Sequence, residues 1–355
     1  MSKIKLGVIF GGMSTENEVS IISGTAILKN LNRNKYDIYP IYIDKQGIWY
    51  KYLDDINKLK LKVGEQVNKK EKIENVMEYL KNLDIVFPVL HGLYGEDGTI
   101  QGLFKILKLP FVGCGVLASS VGMDKIYTKI IFQKAGINQA KCEYIKKIEN
   151  EYIYVNNNFD EEKLQLEEIA KKIIKKIDFP MFIKPSNSGS SVGIKKVKNI
   201  EELKEAIDFA GNYDEKILIE EEIKGKEVEC AVLGKGDIIS STVGEIKAAD
   251  DFYSFDAKYN NNESKTLIPS EGLSEEKINE IRNLAIRAFK AIDGKGLARV
   301  DFFVKEGTQE IYINEVNTMP GFTSISMYPK LFEASGIKFT DLLDKLIEIE
   351  ITGKS

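Results

Sequence analysis

Two alternating runs near the C-terminus, Arg299-Val300-Asp301 and Glu315-Val316-Asn317, carry the pattern of half-buried strands. In a strand, residues i and i+2 share a face. Arg299 and Asp301 therefore point one way together, as do Glu315 and Asn317. The flanks Phe302-Phe303-Val304 and Ile311-Tyr312-Ile313 are strand formers, and Glu306-Gly307-Thr308 reads as the turn between them. A hairpin brings together Asp301, Glu315 and Asn317, all hard oxygen donors. Few protein ligands of that kind suit Mg²⁺, with nucleotide phosphates completing its octahedron.

The rest of the chain sets the frame for that hairpin. At 355 residues it exceeds one ordinary core and divides into two or three domains. A net charge of −4, from 50 basic and 54 acidic residues mixed along the chain, offers no global attraction for nucleic acid or membrane. The three cysteines, Cys114, Cys142 and Cys230, form no CxxC pair, which argues against structural zinc or a disulfide framework. With neither a signal-peptide pattern nor an apolar run of about 20 residues, the expected location is the cytoplasm.

Strand-like segments at Ile4–Phe10, Ile38–Ile43 and Asp84–Leu90 alternate with helical patterns, which predicts a parallel α/β domain over residues 1–113. Thr15 and Glu18 have capping-box spacing. From 114 to 223 the expectation is an amphipathic helix over Glu161–Ile177, then a strand pair, Phe179–Lys184 and Ile194–Val197, around a glycine-serine loop. A helix at Ile200–Ala210 and a strand at Lys216–Glu220 follow. From 224 to 355, Val228–Leu233, Ile238–Val243, Ala298–Val304 and Glu310–Glu315 read as an antiparallel sheet. A helix from Ser274 buries Ile278, Ile281, Ala285, Ala288 and Ile292 against it.

Three segments carry chemistry. Lys184-Pro-Ser-Asn-Ser-Gly-Ser-Ser-Val-Gly193 combines turned-in backbone N–H groups, hydroxyl donors and a lysine charge, the equipment of a phosphate loop or, more blandly, a hairpin tip. It is not a Walker A loop, and Gly353-Lys354-Ser355 is a decoy because residue 348 lacks the required glycine. His91-Gly-Leu-Tyr-Gly-Glu-Asp-Gly98 closes an apolar strand, the place where open α/β sheets bind ligands. Gly11-Gly12-Met-Ser-Thr-Glu16 is a tight turn into a helix without G-x-G-x-x-G. Glu16 there disfavours phosphate and favours a cationic amine.

Taken in order, Gly11–Ser20, His91–Gly102, Lys184–Gly193, Asp256–Tyr259 and Gly296–Gly321 resemble the D-alanine–D-alanine ligases of the ATP-grasp group over nearly the whole chain. HGLYGEDGTIQG and GLARVDFFV followed by YINEVNTMPG are the most specific parts. The resemblance implies three domains, α/β at the N-terminus and α+β beyond, with ATP held between the second and third. It also implies transfer of the ATP γ-phosphate to one D-alanine, attack on that acylphosphate by a second, and a homodimer.

Residue by residue, the resemblance assigns two Mg²⁺ (or Mn²⁺) to Asp301, Glu315 and Asn317, with Glu315 bridging. Arg299 and the Gly321 N–H fall to the reacting carboxylate and its oxyanion. Lys125 and Lys184, with the loop serines Ser190 and Ser191, fall to ATP phosphates. Glu220, Glu221, Ile223 and Glu227 fall to adenine and ribose, with Phe252 as a stacking candidate. Glu16, with His91 nearby, is implied for the first D-alanine, and Lys258 and Ser326 for the carboxylate of the second. Glu16, Ser190 and Tyr259 form an implied hydrogen-bonded trio fastening a lid over the site. Tyr259 argues against D-lactate as acceptor, while D-serine stays open as the nearest alternative. A non-catalytic sensor on the same fold and a nicotinamide oxidoreductase are the competing classes.

Overall fold

The structure, a computed structural model, describes residues 2–55, 67–68, 70–247, 265–323 and 325–352. Phe252, Lys258 and Tyr259 lie outside the described residues.

The N-terminal sheet contains β1 (Ile4–Gly11), β2 (Tyr36–Ile43), β3 (Trp49–Tyr52), β4 (Lys70–Lys72) and β5 (Ile85–Val89), in the order β4-β3-β2-β1-β5. Central β1 is buried on both faces because Leu6, Val8 and Phe10 enter one core and Ile9 another. It runs parallel to β2 and β5, as expected. β3 runs antiparallel to β2, because the Asp44–Gly47 turn is too short for a crossover, and β4 runs antiparallel to β3. Gly11 and Gly12 have φ of 96° and 99°, and a side chain on Gly11 would collide with the Ile43 carbonyl oxygen. That turn delivers the chain into the helix Asn17–Asn30. The Thr15–Glu18 capping box does not form: Glu16 occupies the N-cap, and Ser14 Oγ instead accepts from the Glu16 N–H at 3.1 Å.

The middle sheet is antiparallel throughout, with β6 (Cys142–Ile148), β7 (Glu151–Val155), β8 (Glu161–Leu164), β9 (Met181–Pro185), β10 (Lys195–Val197) and β11 (Lys216–Glu221) in the order β10-β9-β11-β6-β7-β8. The helix expected over 161–177 is shorter, Leu166–Ile173. Its first residues extend β7 as β8, and a capping box between Gln165 and Glu168 fixes the helix start. The apolar stripe still meets the core through Ile169, Ile173 and Ile177.

The third sheet is antiparallel, with β12 (Gly225–Lys235), β13 (Asp237–Lys247), β14 (Lys265–Leu267), β15 (Gly296–Lys305) and β16 (Ile311–Asn317) in the order β14-β13-β12-β15-β16. The helix Glu275–Ala291, capped by Ser274, buries Ile278, Ile281, Ala285 and Ala288 against it. Cys114, Ala118, Phe132 and Ile137 join the same core. The helices Val116–Met123 and Lys125–Lys134 therefore pack with the third sheet, although they precede the middle one in sequence.

Candidate active site

A cavity of about 990 Å³ opens where the three sheets converge, bordered by Glu16 and His91 from the first, Lys184 and Glu220 from the second, and Arg299 and Glu315 from the third. That volume accommodates a nucleotide together with small substrates. One wall is the β15–β16 hairpin, where Asp301 stands opposite Glu315 and Arg299 opposite Asn317. Asp301 pairs with Glu315 while Phe302 pairs with Ile313, so Asn314 is the extra residue of a β-bulge.

The arginine is tightly held. Arg299 Nε donates to Asp301 Oδ1 at 2.8 Å and Nη2 to Oδ2 at 2.6 Å, and Glu229 Oε2 lies 3.0 Å from Nε. Burial works against the guanidinium, but Asp301 and Glu229 outweigh it and raise its pKa well above the usual value. Glu229 stands opposite Asp301 on β12 and is buried, a partner that the sequence reading missed.

The hairpin also fits a hard divalent cation. Two carboxylates, Asp301 and Glu315, face each other in register, and the Asn317 amide lies beside them with Nδ2 3.0 Å from Asp301 Oδ2. No cluster of three His, Cys, Asp or Glu residues suited to a metal exists among the described residues. The Asn317 amide oxygen could supply a third donor, and a small set of oxygen ligands suits Mg²⁺ with phosphate.

The lysines expected at phosphate sit on the opposite wall. Lys184 Nζ is 2.6 Å from Glu220 Oε2, and Lys129 Nζ is 2.5 Å from Glu220 Oε1. Glu220 and Lys129 are buried, so the carboxylate is pinned between two ammonium groups. Burial alone would raise its pKa; Lys129 and Lys184 reverse that and hold it at about 2. Lys125 Nζ donates to the Ser188 carbonyl at 2.5 Å, bracing the glycine-serine loop. Burial pulls its pKa down, partly offset by Glu315. The loop base is tied by Asp124, which accepts from Ser186 Oγ at 2.6 Å, and by Asp214, which accepts from the Asn187 N–H at 2.7 Å. At the tip, Ser190 and Ser191 hold φ of 49° and 60°, strained for non-glycine residues.

Ser190 Oγ donates to Glu16 Oε1, joining the middle and first sheets across the cavity. Two members of the implied trio are therefore in contact. His91 is buried, and both its nitrogens are engaged: Nδ1 with the Met319 carbonyl and Nε2 with Ser23 Oγ, each at 3.0 Å. It borders the cavity, with both ring nitrogens taken by protein partners. Burial also lowers its pKa, so the ring is neutral. Glu96, another residue missed from sequence, accepts from the Gly92 N–H at 2.9 Å and the Met319 N–H at 3.1 Å. Burial, with the charge of Glu16, raises its pKa to about 8.

Around the expected adenine site, the Glu221 N–H bonds the Lys141 carbonyl and its side chain accepts from the Lys141 N–H at 2.8 Å. Any reading of a base by Glu221 thus falls to its carbonyl. Ile223 and Glu227 border the cavity, as do the unanticipated apolar groups Phe182, Phe303 and Ile313. Ser326 precedes the helix Met327–Ala334, and its Oγ accepts from the Thr323 N–H at 2.9 Å. A Cβ on Gly321 would lie 2.7 Å from Ser326 Oγ. Gly321→Ala is therefore expected to displace the turn and lower steady-state turnover roughly tenfold to a hundredfold, with the KM for ATP unchanged.

An arginine and a hard-oxygen set on one hairpin, facing half-buried lysines and a glycine-serine loop across a nucleotide-sized cavity, define an ATP-grasp ligase. The models for the D-ala D-ala ligase N-terminus and C-terminus match residues 5–114 and 131–348. The D-alanine–D-alanine ligase of Acetivibrio thermocellus is 49% identical over 374 residues, spanning 98% of this chain and 96% of its own. The D-alanine–D-alanine ligase B of Clostridium tetani is 50% identical over 356 residues, spanning 100% and 95%. Among solved structures, the VanG D-Ala:D-Ser ligase of Enterococcus faecalis superposes with a TM-score of 0.85 at 38% identity, covering 98% of this chain and all of that one. The D-alanine–D-alanine ligase of Coxiella burnetii gives 0.82 at 33% identity, covering 99% and 96%. The chain belongs to the D-alanine–D-alanine ligase family, the enzymes that make the dipeptide precursor of the bacterial cell wall.

Proposed function

We propose that the cavity joins two D-alanine molecules through a D-alanyl phosphate, in the cytoplasm and as a homodimer. The observation that carries this reading is the facing of two groups across one cavity: Arg299, Glu315 and Asn317 on the hairpin, with Asp301 buried against Arg299, and Lys125 and Lys184 on the other wall. Lys125 and Lys184 hold the ATP phosphates, while Phe182, Phe303 and Ile313 wall the base and Glu227 accepts from the ribose. Asp301, Glu315 and Asn317 would hold Mg²⁺, which when bound offsets phosphate charge. Glu16 takes the ammonium of the first D-alanine, and Ser326, with Lys258, the carboxylate of the second. Arg299 and the Gly321 N–H stabilise the charge on the oxygen of the carbonyl under attack. The Glu16–Ser190 bond supports closure of the site, which keeps water from the acylphosphate.

The test is stoichiometry. With ATP, Mg²⁺ and D-alanine, the purified chain is expected to release one ADP and one phosphate per D-alanyl-D-alanine. D-Lactate as an added acceptor is expected to compete poorly, and D-serine, the nearest alternative, is run beside it. A mixed dipeptide or depsipeptide as the main product overturns the acceptor assignment, and no ATP turnover overturns the ligase reading.

A further inference from the structure

The strap Thr318–Phe322 leaves the third sheet at the end of β16 and crosses to the first domain, where the Phe322 ring packs edge-on to Phe87 with centroids 5.8 Å apart. Three side chains of the first domain hold it: Glu96 accepts from the Met319 N–H at 3.1 Å, and His91 and Ser23 grip it on either side of Pro320-Gly321. His91 Nδ1 lies 3.0 Å from the Met319 carbonyl, and the Phe322 N–H donates to Ser23 Oγ at 3.2 Å. The grips are joined, because His91 Nε2 lies 3.0 Å from Ser23 Oγ.

The directions of these bonds are fixed by elementary valence. A carbonyl only accepts, so Nδ1 carries the proton. In the neutral ring Nε2 then accepts, the Ser23 hydroxyl donates to it, and the hydroxyl lone pair receives the Phe322 N–H. Ser23 is fully buried in the helix Asn17–Asn30 and does not border the cavity. Gly321, between the grips, borders the cavity, and its N–H makes no hydrogen bond among the described residues.

We infer that Ser23 is a positioning residue: through His91 and Phe322 it fixes the direction in which the Gly321 N–H points into the site. The inference rests on the reading of that N–H as an oxyanion donor. In that reading the second amine attacks the acylphosphate carbonyl, and the C=O electron pair moves onto oxygen. Collapse then forms the amide and breaks the C–O bond to phosphate, which leaves with the proton of the amine. Phosphoryl transfer to the first D-alanine uses the lysine side of the cavity and precedes this demand. Loosening the strap therefore slows amide formation alone, and the waiting acylphosphate is lost to water as D-alanine and phosphate.

Ser23→Ala removes the shared hydroxyl while keeping a strong helix former. Its dipeptide turnover is expected to fall about tenfold, less than for outright loss of an oxyanion donor because the N–H is displaced and not deleted. ADP release is expected to fall less, so the ratio of ADP to dipeptide climbs above the parental value of one, with the KM for ATP unchanged. A merely structural loss lowers both products together, and that outcome overturns the inference, as does parental coupling at parental rate. His91→Asn is the second variant: it keeps a donor for Met319 but cannot reach Ser23, and the same excess of ADP is expected. A raised KM for D-alanine with coupling intact overturns the inference in favour of direct substrate contact. Failure of the parent chain to make dipeptide would instead remove the functional reading itself.

Discussion

Arg299→Ala is expected to lose roughly 10²–10³-fold in dipeptide turnover while the KM for ATP stays within a few-fold of the parent. Arg299 borders the cavity from the hairpin wall, whereas Lys125 and Lys184, to which the proposed function gives the phosphates, border it from the other. Its contribution is greatest where negative charge develops on the carbonyl oxygen, so its loss appears in turnover more than in nucleotide affinity. A second cost comes from its partners. Asp301 and Glu229 have side chains 3% and 2% exposed, and without Arg299 their charges lose their nearest cation. Breaking a buried ion pair by removing one member typically costs about 3–5 kcal/mol, so the variant should also melt lower. Arg299→Lys separates the two effects. It restores a positive charge and part of the stability but not the two-pronged grip on Asp301, and its turnover should stay low. Near-parental turnover in Arg299→Ala would take the arginine out of the chemistry.

The hairpin was legible because strand geometry has a period of two, so a few residues fix the phase of a whole face. Arg299, Asp301, Glu315 and Asn317 follow from that phase and a turn, which the chain makes through residues 306–310. The bulge at Asn314 was not legible, because it depends on how two strands are paired and leaves no mark in either alone. Glu229 escaped for the same reason: only the β12–β15 register places it opposite Asp301. Lys129 did leave a signal. It lies four residues after Lys125 on a helix and so shares its face, but that spacing is also what any solvated helix displays.

Positions fixed by tertiary contact were the hardest. His91 stood out as the only histidine at a strand end, yet its partners Ser23 and Met319 are remote in sequence and chemically unremarkable. The expected helix over 161–177 failed locally. Its apolar stripe was real, but the β7–β8 hairpin competes for the first four residues and the Gln165 cap settles the boundary. The Glu16–Ser190 contact is a different case, since it came from resemblance and no spacing rule would have joined a helix N-cap to a distant loop.

Glu220 carries the second large expectation, and its sign can be worked out. Its side chain is 5% exposed and paired with the buried Lys129 and the half-buried Lys184, so Glu220→Gln leaves both lysines without that counter-charge. The expected loss is about 3–5 kcal/mol of stability, together with a rise of roughly tenfold or more in the KM for ATP because Lys184 is no longer aimed. The carboxylate has a pKa of about 2 in the folded chain, against about 4.3 when unfolded. A depressed folded pKa means the unfolded chain binds the proton more readily. The stabilisation is therefore fully present above about pH 4.3 and fades as pH falls toward 2. The difference in unfolding free energy between parent and Glu220→Gln, measured by denaturant titration, should be widest near pH 7 and narrow steadily below about pH 4.3. A gap of constant size across that range would mean that the shape of the side chain, and not its charge, holds the two lysines in place.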